Sequence, residues 1–417
     1  MGDTRLKIFI SAFACAPDRG SEIGVGWHWV LEMSKYFEVW VLTRSSNKNF
    51  IDPWIMKNPE YEGIHFLYYD LPFYHNHYWK KGLRGVRTYY NIWQWRINAI
   101  VKQTMQENDI QIFHHITYGN ILWKVCSYGQ KQFFIWGPVG GAETIPAEYS
   151  QYYKIKSRLF EWIRRLVVNN LPLNKGFKQR CQDADLILCK TEATLNNVPK
   201  QHKGKAILFT DVAVEIKDNT VFSITDRKES DIIRYLAVGR LDGWRGFDLL
   251  IEAFAESVKK NPQIVLEILG NGIERERLQK LIDVLNMNSY ITLKGNVHRN
   301  EYYEKLAACD VLINPCLREG AVTVAFDSLS FGKPLICIDT GGYTRYFDKE
   351  HAIIISRKSR KEVINALQDA IFELTNEDLR NKCGSKALEI ARRNTWKNKG
   401  EEIYQTIIER YVENSPK

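Results

Sequence analysis

The chain has 417 residues, of which 45% are hydrophobic and 26% are charged, and its formal net charge at pH 7 is +9. This length predicts roughly two to three domains, and the composition is typical of a soluble globular protein. No window approaches the roughly 18 to 20 uninterrupted apolar residues that a membrane span needs. The net charge indicates an affinity for anions, which leaves nucleic acid, nucleotide phosphate and an anionic membrane as alternatives.

The N-terminal run MGDTRLKIFISAFACAP alternates its apolar residues with other β-prone residues. It therefore predicts a first strand rather than a signal peptide. The eight cysteines form no CxxC pair, and most lie inside apolar runs, which favours buried structural thiols over a metal or redox role. Together these features predict a cytoplasmic protein.

The first half of the chain predicts parallel strands separated by long insertions. The predicted strands are 5–14, 37–44, 63–70, 110–116, 132–138 and 184–190. β-branched and aromatic residues dominate these runs, as expected for strands that are buried on both faces.

The second half alternates strands and amphipathic helices with little interruption. Its predicted strands are 232–238, 264–269, 290–295, 311–315, 334–338 and 352–355. Its predicted helices are 247–260, 274–286, 300–309, 321–331 and 361–373. This alternation is typical of a doubly wound parallel sheet. The fold class is therefore α/β, with two Rossmann-like domains and a ligand cleft at the carboxyl ends of their strands.

Three segments are expected along the chain. Residues 1–210 are expected to form an N-terminal Rossmann-like domain, and residues 211–394 a C-terminal Rossmann-like domain. The polar run within 205–230 supplies the linker. Residues 395–417 have a helical apolar period and no strand after them, so they are expected to cross back to the first domain.

A pair of acidic residues marks the stretch LREGAVTVAFDSLSFGKP. Glu319 precedes the predicted helix 321–331 at a strand end, and Asp327 lies inside that helix. Gly320 leaves room for a ligand beside the free amides at the helix start, where anions are attracted. Read alone, the pair also fits a helix cap and a solvent-facing carboxylate.

Two arginines follow the strand 232–238 in the turn GRLDGWRG. Arg240 and Arg245 flank this turn, where guanidinium groups could neutralise a diphosphate. Read alone, they could also be solvated surface arginines. The glycine turns ILGNGIER and GNVHR end the next two strands, so four ligand-competent turns follow successive strands of one sheet.

The ordered motifs GRLDGWRGFDLLIEAF, LEILGNGIERERL, VLINP and EGAVTVAFDSLSFGKPLICIDTGG resemble the retaining glycosyltransferases of family 4 (group 1), which have the GT-B fold. The family pattern has a glutamate where this chain has Asp327, which shortens the reach by one methylene. The resemblance implies transfer of a sugar, with retention, from a nucleotide-diphosphate donor to an acceptor hydroxyl. It implies neither a cofactor nor a required metal. The DAD of residues 183–185 is accordingly read as a helix end rather than a metal motif.

The resemblance also implies that residues 1–210 bind the acceptor, that residues 211–394 bind the nucleotide sugar, and that particular positions have roles. Glu319 would hold donor-sugar hydroxyls, Asp327 the ribose hydroxyls, and Arg240 and Arg245 the diphosphate. Backbone groups of Gly320, Ala321 and Val322 would contact phosphate or sugar, and Asn271 and Val297 mark turns near the nucleoside.

The first domain resembles a subgroup of the family at CAPDRGSEIGVGWHWV, which carries a GSExGxGW loop. Gly20, Ser21 and Gly24 would let this loop approach the donor diphosphate. Where many relatives carry a histidine, this chain reads WGPVGG, and Glu143 is a possible polar substitute. His114 and His115 end a predicted strand, so one of them could line the cleft, or both could be core or surface histidines.

Two insertions, 78–103 and 152–180, interleave basic and aromatic residues. This pattern favours peripheral attachment to the inner face of the cytoplasmic membrane, over a polyprenyl-linked acceptor. Packing of Trp93, Trp95 and Trp162 in the core is the alternative, and nucleic-acid binding is disfavoured because no nucleic-acid fold accompanies the segments.

The sequence thus predicts a bacterial enzyme that assembles cell-surface polysaccharide or another glycan. The alternatives are another GT-B enzyme, such as a nucleotide-sugar epimerase or a phosphorylase, and a non-catalytic GT-B binding subunit. An epimerase would alter the donor without an acceptor, and a binding subunit would bind nucleotide without transferring sugar.

Overall fold

A computed structural model describes residues 5–72, 85–126, 132–215, 232–319 and 323–414. The chain divides into two compact α/β units. The first unit contains Met1–Ala142, Pro172–Asp211 and Trp396–Lys417, and the second contains Glu143–Leu171 and Val212–Thr395.

Parallel strands form the centre of each unit. The strands are β1 Lys7–Ala12, β2 Glu38–Thr43, β3 His65–Tyr68, β4 Ile112–Ile116, β5 Phe133–Val139, β6 Leu186–Cys189, β7 Ala206–Leu208, β8 Ile233–Val238, β9 Ile264–Leu269, β10 Ile291–Gly295, β11 Val311–Asn314, β12 Leu335–Ile338 and β13 Ala352–Ile355. The helices are α1 Ser21–Met33, α2 Lys48–Lys57, α3 Val86–Arg96, α4 Asn98–Glu107, α5 Ala147–Ser150, α6 Ile155–Asn169, α7 Lys175–Asp183, α8 Glu192–Asn197, α9 Phe247–Lys260, α10 Arg275–Val284, α11 Arg299–Ala308, α12 Thr323–Ser330, α13 Arg360–Glu373, α14 Glu377–Arg393 and α15 Trp396–Asn414.

The strands pair in parallel in the order β3-β2-β1-β4-β5-β6-β7 in the first unit and β10-β9-β8-β11-β12-β13 in the second. The predicted doubly wound α/β class is confirmed. In each sheet the strand order reverses beside the first strand, between β1 and β4 and between β8 and β11. Ligands of open α/β sheets bind outside the carboxyl ends of the strands at such a reversal.

The segment 143–171 lies in the second unit, whereas the predicted division placed it in the N-terminal domain. Tyr149 donates a hydrogen bond to the backbone oxygen of Lys358, and Tyr153 packs in the hydrophobic core of the second unit. On α6, Ser157 donates to Glu274 at 2.5 Å. The segment directly follows β5 in the sequence, which is why it was predicted to belong to the N-terminal domain. Its buried side chains nevertheless pack and form hydrogen bonds within the second unit.

Helix α15 belongs to the first unit, where it packs against α1. Trp396 stacks on His28 with ring centroids 5.1 Å apart, and Tyr404 stacks on Tyr36 at 4.4 Å. These aromatic pairs account for the apolar period that the sequence shows in 395–414. Most of the predicted linker, together with part of the insertion 78–103, lies outside the described residues.

All eight cysteines lie in the described ranges, are buried and form no disulfide bond, as expected of structural thiols. Within the described ranges, no helix is both long enough and apolar enough to cross a membrane.

Candidate functional site

Two strand-end turns pack together at the strand reversal of the second unit. The turn after β8 contains Gly246, whose φ is +69°, and a Cβ there would lie 2.1 Å from the backbone oxygen of Pro315 after β11. The amide of Leu317 also donates to the backbone oxygen of Trp244 at 3.0 Å. Only glycine tolerates this approach, which brings the side chains of the two turns together.

Arg245 and Glu319 form an ion pair across these turns. Arg245 Nη1 lies 2.5 Å from Glu319 Oε2, with side chains 19% and 17% exposed. Burial tends to lower the pKa of Arg245, but the neighbouring Glu319 carboxylate outweighs burial and raises it, so the guanidinium stays charged. The Arg245 Nε is buried and has no hydrogen-bond partner among the described residues. An unsatisfied donor on a fixed cation suits an anionic ligand.

The position of Glu319 is also fixed through its backbone. Thr340, which follows β12, donates its hydroxyl hydrogen to the backbone oxygen of Glu319 at 2.7 Å. Glu319 is therefore held from two neighbouring strand ends. The predicted contacts Gly320, Ala321 and Val322 come next in the chain and lie outside the described residues.

Arg240 is more exposed than Arg245. Its side chain is 68% exposed, and its Nε lies 2.6 Å from Asp242 Oδ2. The turn that carries it packs on the turn after β9, because Leu241 donates from its amide to the backbone oxygen of Asn271 at 3.0 Å. Asn271 accepts from the amide of Gly272 through its side chain. Val297 is half-buried between β10 and α11.

Asp327 lies on α12, half-buried, and faces α11. Its Oδ2 accepts a hydrogen bond from the hydroxyl of Tyr302 at 2.8 Å. Burial first, and then the Asp327 charge, raise the pKa of Tyr302 well above its usual value, so the phenol stays protonated and donates. The neighbouring Tyr303 hydroxyl accepts from Arg299 Nε at 2.9 Å. Asp327 is thus a positioned carboxylate rather than a solvent-facing one.

In the first unit, the predicted glycine loop follows β1 and begins α1. Ser21 has a φ of +57°, and a Cβ on Gly24 would lie 2.2 Å from the backbone oxygen of Arg19. At Gly20 a Cβ would meet nothing within 4 Å. Glu22 accepts from the amide of Tyr118 after β4, which fixes the loop at the strand reversal of this sheet.

His114 and His115 are both fully buried on β4. His114 Nε2 lies 2.8 Å from the backbone oxygen of Gly137, so this nitrogen donates, and His115 Nε2 lies 2.9 Å from the Tyr90 hydroxyl. Burial lowers the pKa of His114 to about 4 and that of His115 to about 3, so both rings are neutral at pH 7. Their burial agrees with the alternative that both are core histidines.

Glu143 belongs to the second unit and is almost fully buried. Arg164 on α6 donates from Nε to the Glu143 backbone oxygen at 2.8 Å, and its Nη2 lies 3.4 Å from Glu143 Oε2. In the part of the chain that the structure describes, no group of three His, Cys, Asp or Glu side chains could hold a metal.

Three neighbours of these residues were not found from the sequence. They are Trp244, Tyr302 and Thr340. Trp244 lies between two predicted site residues, so its position in the turn was a usable signal. The roles of Tyr302 and Thr340 depend on the pairing of distant elements, which no local pattern shows.

Residues 221–389 match the family described as "Glycosyl transferases group 1". The matched residues contain the strand-end turns of Arg240, Arg245 and Glu319. This part of the chain is therefore similar to the group 1 glycosyl transferases.

The chain is also similar to curated proteins that are named as glycosyltransferases. They include an uncharacterized glycosyltransferase of Methanocaldococcus jannaschii, 26% identical over 55% of this chain and 61% of that protein. The putative teichuronic acid biosynthesis glycosyltransferase TuaC of Bacillus subtilis is 30% identical over 58% of this chain and 60% of that protein. An N-acetylgalactosaminyltransferase of Campylobacter jejuni, whose name specifies a diphospho-undecaprenol substrate, is 26% identical over 44% and 50%. The matches thus span about half to three fifths of these relatives.

Solved structures show the same fold over nearly the whole chain. A sucrose-phosphate synthase from Thermosynechococcus elongatus has a TM-score of 0.64 and 16% identity, covering 98% of this chain and 100% of that one. Anabaena HepE, solved with UDP and glucose, has a TM-score of 0.58 and 14% identity, covering 97% and 100%. WaaG, a glycosyltransferase involved in lipopolysaccharide biosynthesis, has a TM-score of 0.56 and 17% identity, covering 96% and 99%. At these identities the likeness shows the fold, which is GT-B.

Proposed function

We propose that the protein is a retaining glycosyltransferase that moves a sugar from a nucleotide-diphosphate donor to a hydroxyl of a glycan acceptor. The observation that carries the proposal is the Arg245–Glu319 pair, with its unsatisfied Arg245 Nε, at the strand reversal of the second unit. UDP in the HepE structure supports a nucleotide donor.

The cationic and the acidic residues have different roles in the proposed reaction. Arg245 and Arg240 stabilise the diphosphate as negative charge develops on it, and stabilisation of this kind is usually the largest single contribution to catalysis. Glu319 accepts from donor-sugar hydroxyls, and Asp327 from the ribose. The acceptor oxygen bonds to the anomeric carbon on the face that the diphosphate leaves, and the hydroxyl proton departs with the diphosphate. The proposed reaction needs no metal and no cofactor.

The acceptor is proposed to be lipid-linked, in bacterial cell-surface polysaccharide or glycan assembly. The name of the Campylobacter relative specifies a diphospho-undecaprenol substrate, TuaC is named for teichuronic acid biosynthesis, and WaaG is described as involved in lipopolysaccharide biosynthesis. The surface of α6 supports a location at the inner face of the cytoplasmic membrane. Its exposed residues include large apolar side chains, namely Ile155, Leu159, Phe160, Trp162, Ile163, Leu166 and Val167.

The charge around this apolar surface matches an anionic bilayer. Lys156 and Arg158 are exposed on α6, while Glu161, the only acidic residue in 152–180, is buried. Apolar side chains bordered by cations are typical of helices that lie in a membrane interface. The tryptophans of the two segments differ in this respect, because Trp93 is fully buried whereas Trp95 and Trp162 are more than half exposed.

A thermal-shift screen against UDP, GDP, ADP and dTDP and their sugars tests donor binding, and radiolabelled transfer to membrane extracts then tests transfer. We expect stabilisation by one nucleotide and a labelled lipid-extractable product. Donor conversion without an acceptor would identify an epimerase, and binding without transfer to any extract would favour a binding subunit.

Flotation with vesicles tests membrane association. The protein should float with vesicles that contain phosphatidylglycerol, less so at high salt, and Trp162→Ala combined with Leu166→Ala should reduce flotation. Equal recovery with and without anionic lipid would contradict this part of the proposal.

A further inference from the structure

Helix α6 packs with its polar side inward. Ser157 and Glu161 are buried, and Arg164 is half-buried, whereas every apolar side chain of the helix except Val168 is exposed. A helix that packs on a protein core normally shows the opposite arrangement. The inward contacts of α6 are therefore specific polar contacts, and one of them reaches the residue next to Glu319.

That contact is an ion pair between Glu161 and Arg318. Arg318 Nη1 lies 2.7 Å from Glu161 Oε2, and the two side chains are 7% and 3% exposed. Burial raises the pKa of Glu161 and lowers that of Arg318 to about 10, so each charge depends on the other for compensation. Separating the two would leave a buried charge without a partner, which is strongly unfavourable.

Two routes join this pair to the candidate donor site. Along the chain, Arg318 immediately precedes Glu319. Through space, the Arg318 guanidinium lies 4.8 Å from the ring centroid of Trp244, and the Arg245 guanidinium lies 4.2 Å from the centroid of that same ring. Arg245 in turn pairs with Glu319.

The outer surface of α6 takes part in the same set of contacts. Arg318 also lies 5.7 Å from the ring centroid of Phe160, whose side chain belongs to the exposed apolar surface. A continuous series of contacts therefore runs from the exposed surface of α6 to Glu319, all within the second unit.

We propose that Glu161 is a positioning residue for Glu319, and that contact of α6 with an anionic bilayer tightens nucleoside-diphosphate binding by the second unit. This inference rests on the proposed function, because it assigns a regulation to the same site.

Bilayer contact is expected to tighten nucleotide binding, rather than weaken it, because of the environment that the apolar side chains of α6 prefer. An exposed apolar helix face is unfavourable in water and favourable in a bilayer interface. The bilayer therefore stabilises the α6 position in which Glu161 compensates Arg318. That position of α6 also fixes Arg318, the residue before Glu319. An ordered donor site and membrane contact therefore stabilise each other. Coupling of this kind is reciprocal, so the nucleotide must strengthen vesicle binding by the same factor.

The experiment measures both sides of this coupling on the full chain. UDP, GDP, ADP and dTDP are titrated, and the Kd of the tightest is measured without vesicles, with phosphatidylcholine vesicles, and with vesicles that also contain phosphatidylglycerol. We expect the anionic vesicles to lower the Kd by about fivefold or more, the lower end of typical allosteric couplings. Vesicle affinity should rise by the same factor when that nucleotide is saturating.

Variants separate positioning from folding. Glu161→Gln should float normally but lose the vesicle effect on Kd. Glu161→Met combined with Arg318→Met removes both charges, which buried sites tolerate better than one stranded charge, and it should lose the coupling as well. The matched control is Glu276→Gln, which breaks the exposed pair of Glu276 with Lys154 beside the start of α6 and should keep the full effect.

The outcomes distinguish the two proposals. Vesicle-bound wild-type protein with an unchanged nucleotide Kd would overturn the coupling and leave the proposed function intact. Full coupling in the double methionine variant would overturn the role of Glu161. Absence of binding by all four nucleotides would overturn the proposed function, and this inference with it.

Discussion

Strand β4 of the first unit and the ends of β8 and β11 in the second unit differ in the charge of their buried side chains. In the second unit, Arg245 forms an ion pair with Glu319 at 2.5 Å, and both side chains are less than one fifth exposed. In the first unit, His114 and His115 are neutral and are held by the Gly137 backbone oxygen and the Tyr90 hydroxyl.

This difference makes the ends of β8 and β11 better suited to an anion than the end of β4. Burying charged groups is costly, and the cost is offset only by close partners or by a ligand that supplies one. The second unit keeps a cation with an unsatisfied donor, Arg245 Nε, at its strand reversal. On β4 of the first unit, burial keeps the two histidines uncharged. These side chains therefore contribute to the packing of the core and provide no charge for a ligand.

The largest expected effect comes from removing the charge in the second unit. Arg245→Ala should reduce the transfer rate by roughly 10²- to 10³-fold, because a fixed group that stabilises developing charge contributes about that much. The measurement is single-turnover transfer with saturating donor, together with thermal denaturation to show that the variant is folded.

Arg240→Ala is the matched control for this prediction. Arg240 is also predicted to bind the diphosphate, but its side chain is 68% exposed and paired with Asp242. Because solvent screens an exposed cation, its loss should reduce the rate less than the loss of Arg245. Equal effects of the two substitutions would mean that burial of the Arg245 pair is not what matters.

Acidification should instead destabilise the first unit. The folded-state pKa values of His114 and His115 lie below the unfolded value of about 6.5. Between about pH 6.5 and 4 the unfolded chain binds more protons, so stability falls as pH falls, by about 1.4 kcal/mol per pH unit for each histidine. At pH 7 this stability is fully present.

Hydrogen exchange of the intact protein, followed on the peptide that spans β4, checks this dependence. It is measured from pH 7 to 4.5 and corrected for intrinsic exchange rates. His115→Gln keeps a side-chain partner for Tyr90 but cannot titrate, so its pH dependence should be shallower than that of the wild type by the contribution of one histidine. An unchanged slope would show that His115 does not carry the acid sensitivity.

The glycine loop of the first unit tests whether backbone packing, rather than charge, shapes that strand end. Gly24→Ala should cost about 1 to 3 kcal/mol in stability, because its Cβ would lie 2.2 Å from the Arg19 backbone oxygen. Gly20→Ala, four residues earlier in the same loop, meets nothing within 4 Å and should stay within about 0.5 kcal/mol of the wild type. Chemical denaturation of the three proteins measures both values, and similar losses would count against the packing argument.

The sequence predicted the sheets well, because buried parallel strands are continuous apolar runs with clear ends. Strands 264–269 and 352–355 and helix 247–260 coincide with the observed bounds. The short strand β7 and the helix α14 were not predicted. β7 has only three residues, too few for a periodic signal, and α14 follows α13 after a short break.

The site was predictable where the motif itself contains the chemistry, as for Arg245 and Glu319. The sequence could not show that Asp327 is held by Tyr302, because 25 residues separate them and only the packing of α11 on α12 brings them together. Nor could it place 143–171 in the second unit, because complementary charges such as Glu161 and Arg318 are 157 residues apart.

The smallest predicted effect concerns this last carboxylate of the second unit. If Asp327 binds the ribose, Tyr302→Phe should weaken UDP binding by about 1 kcal/mol, or roughly fivefold, because the hydrogen bond that orients Asp327 is lost. The substitution removes one hydroxyl, so folding should be little affected. Tyr303→Phe is the neighbouring control, because that hydroxyl accepts from Arg299 instead.

Isothermal titration with UDP and with 2′-deoxy-UDP separates the two possible causes of weaker binding. A loss that Tyr302→Phe shows only with UDP would place the carboxylate at the ribose 2′-hydroxyl, whereas equal losses with both nucleotides would mean that Tyr302 supports the site in some other way.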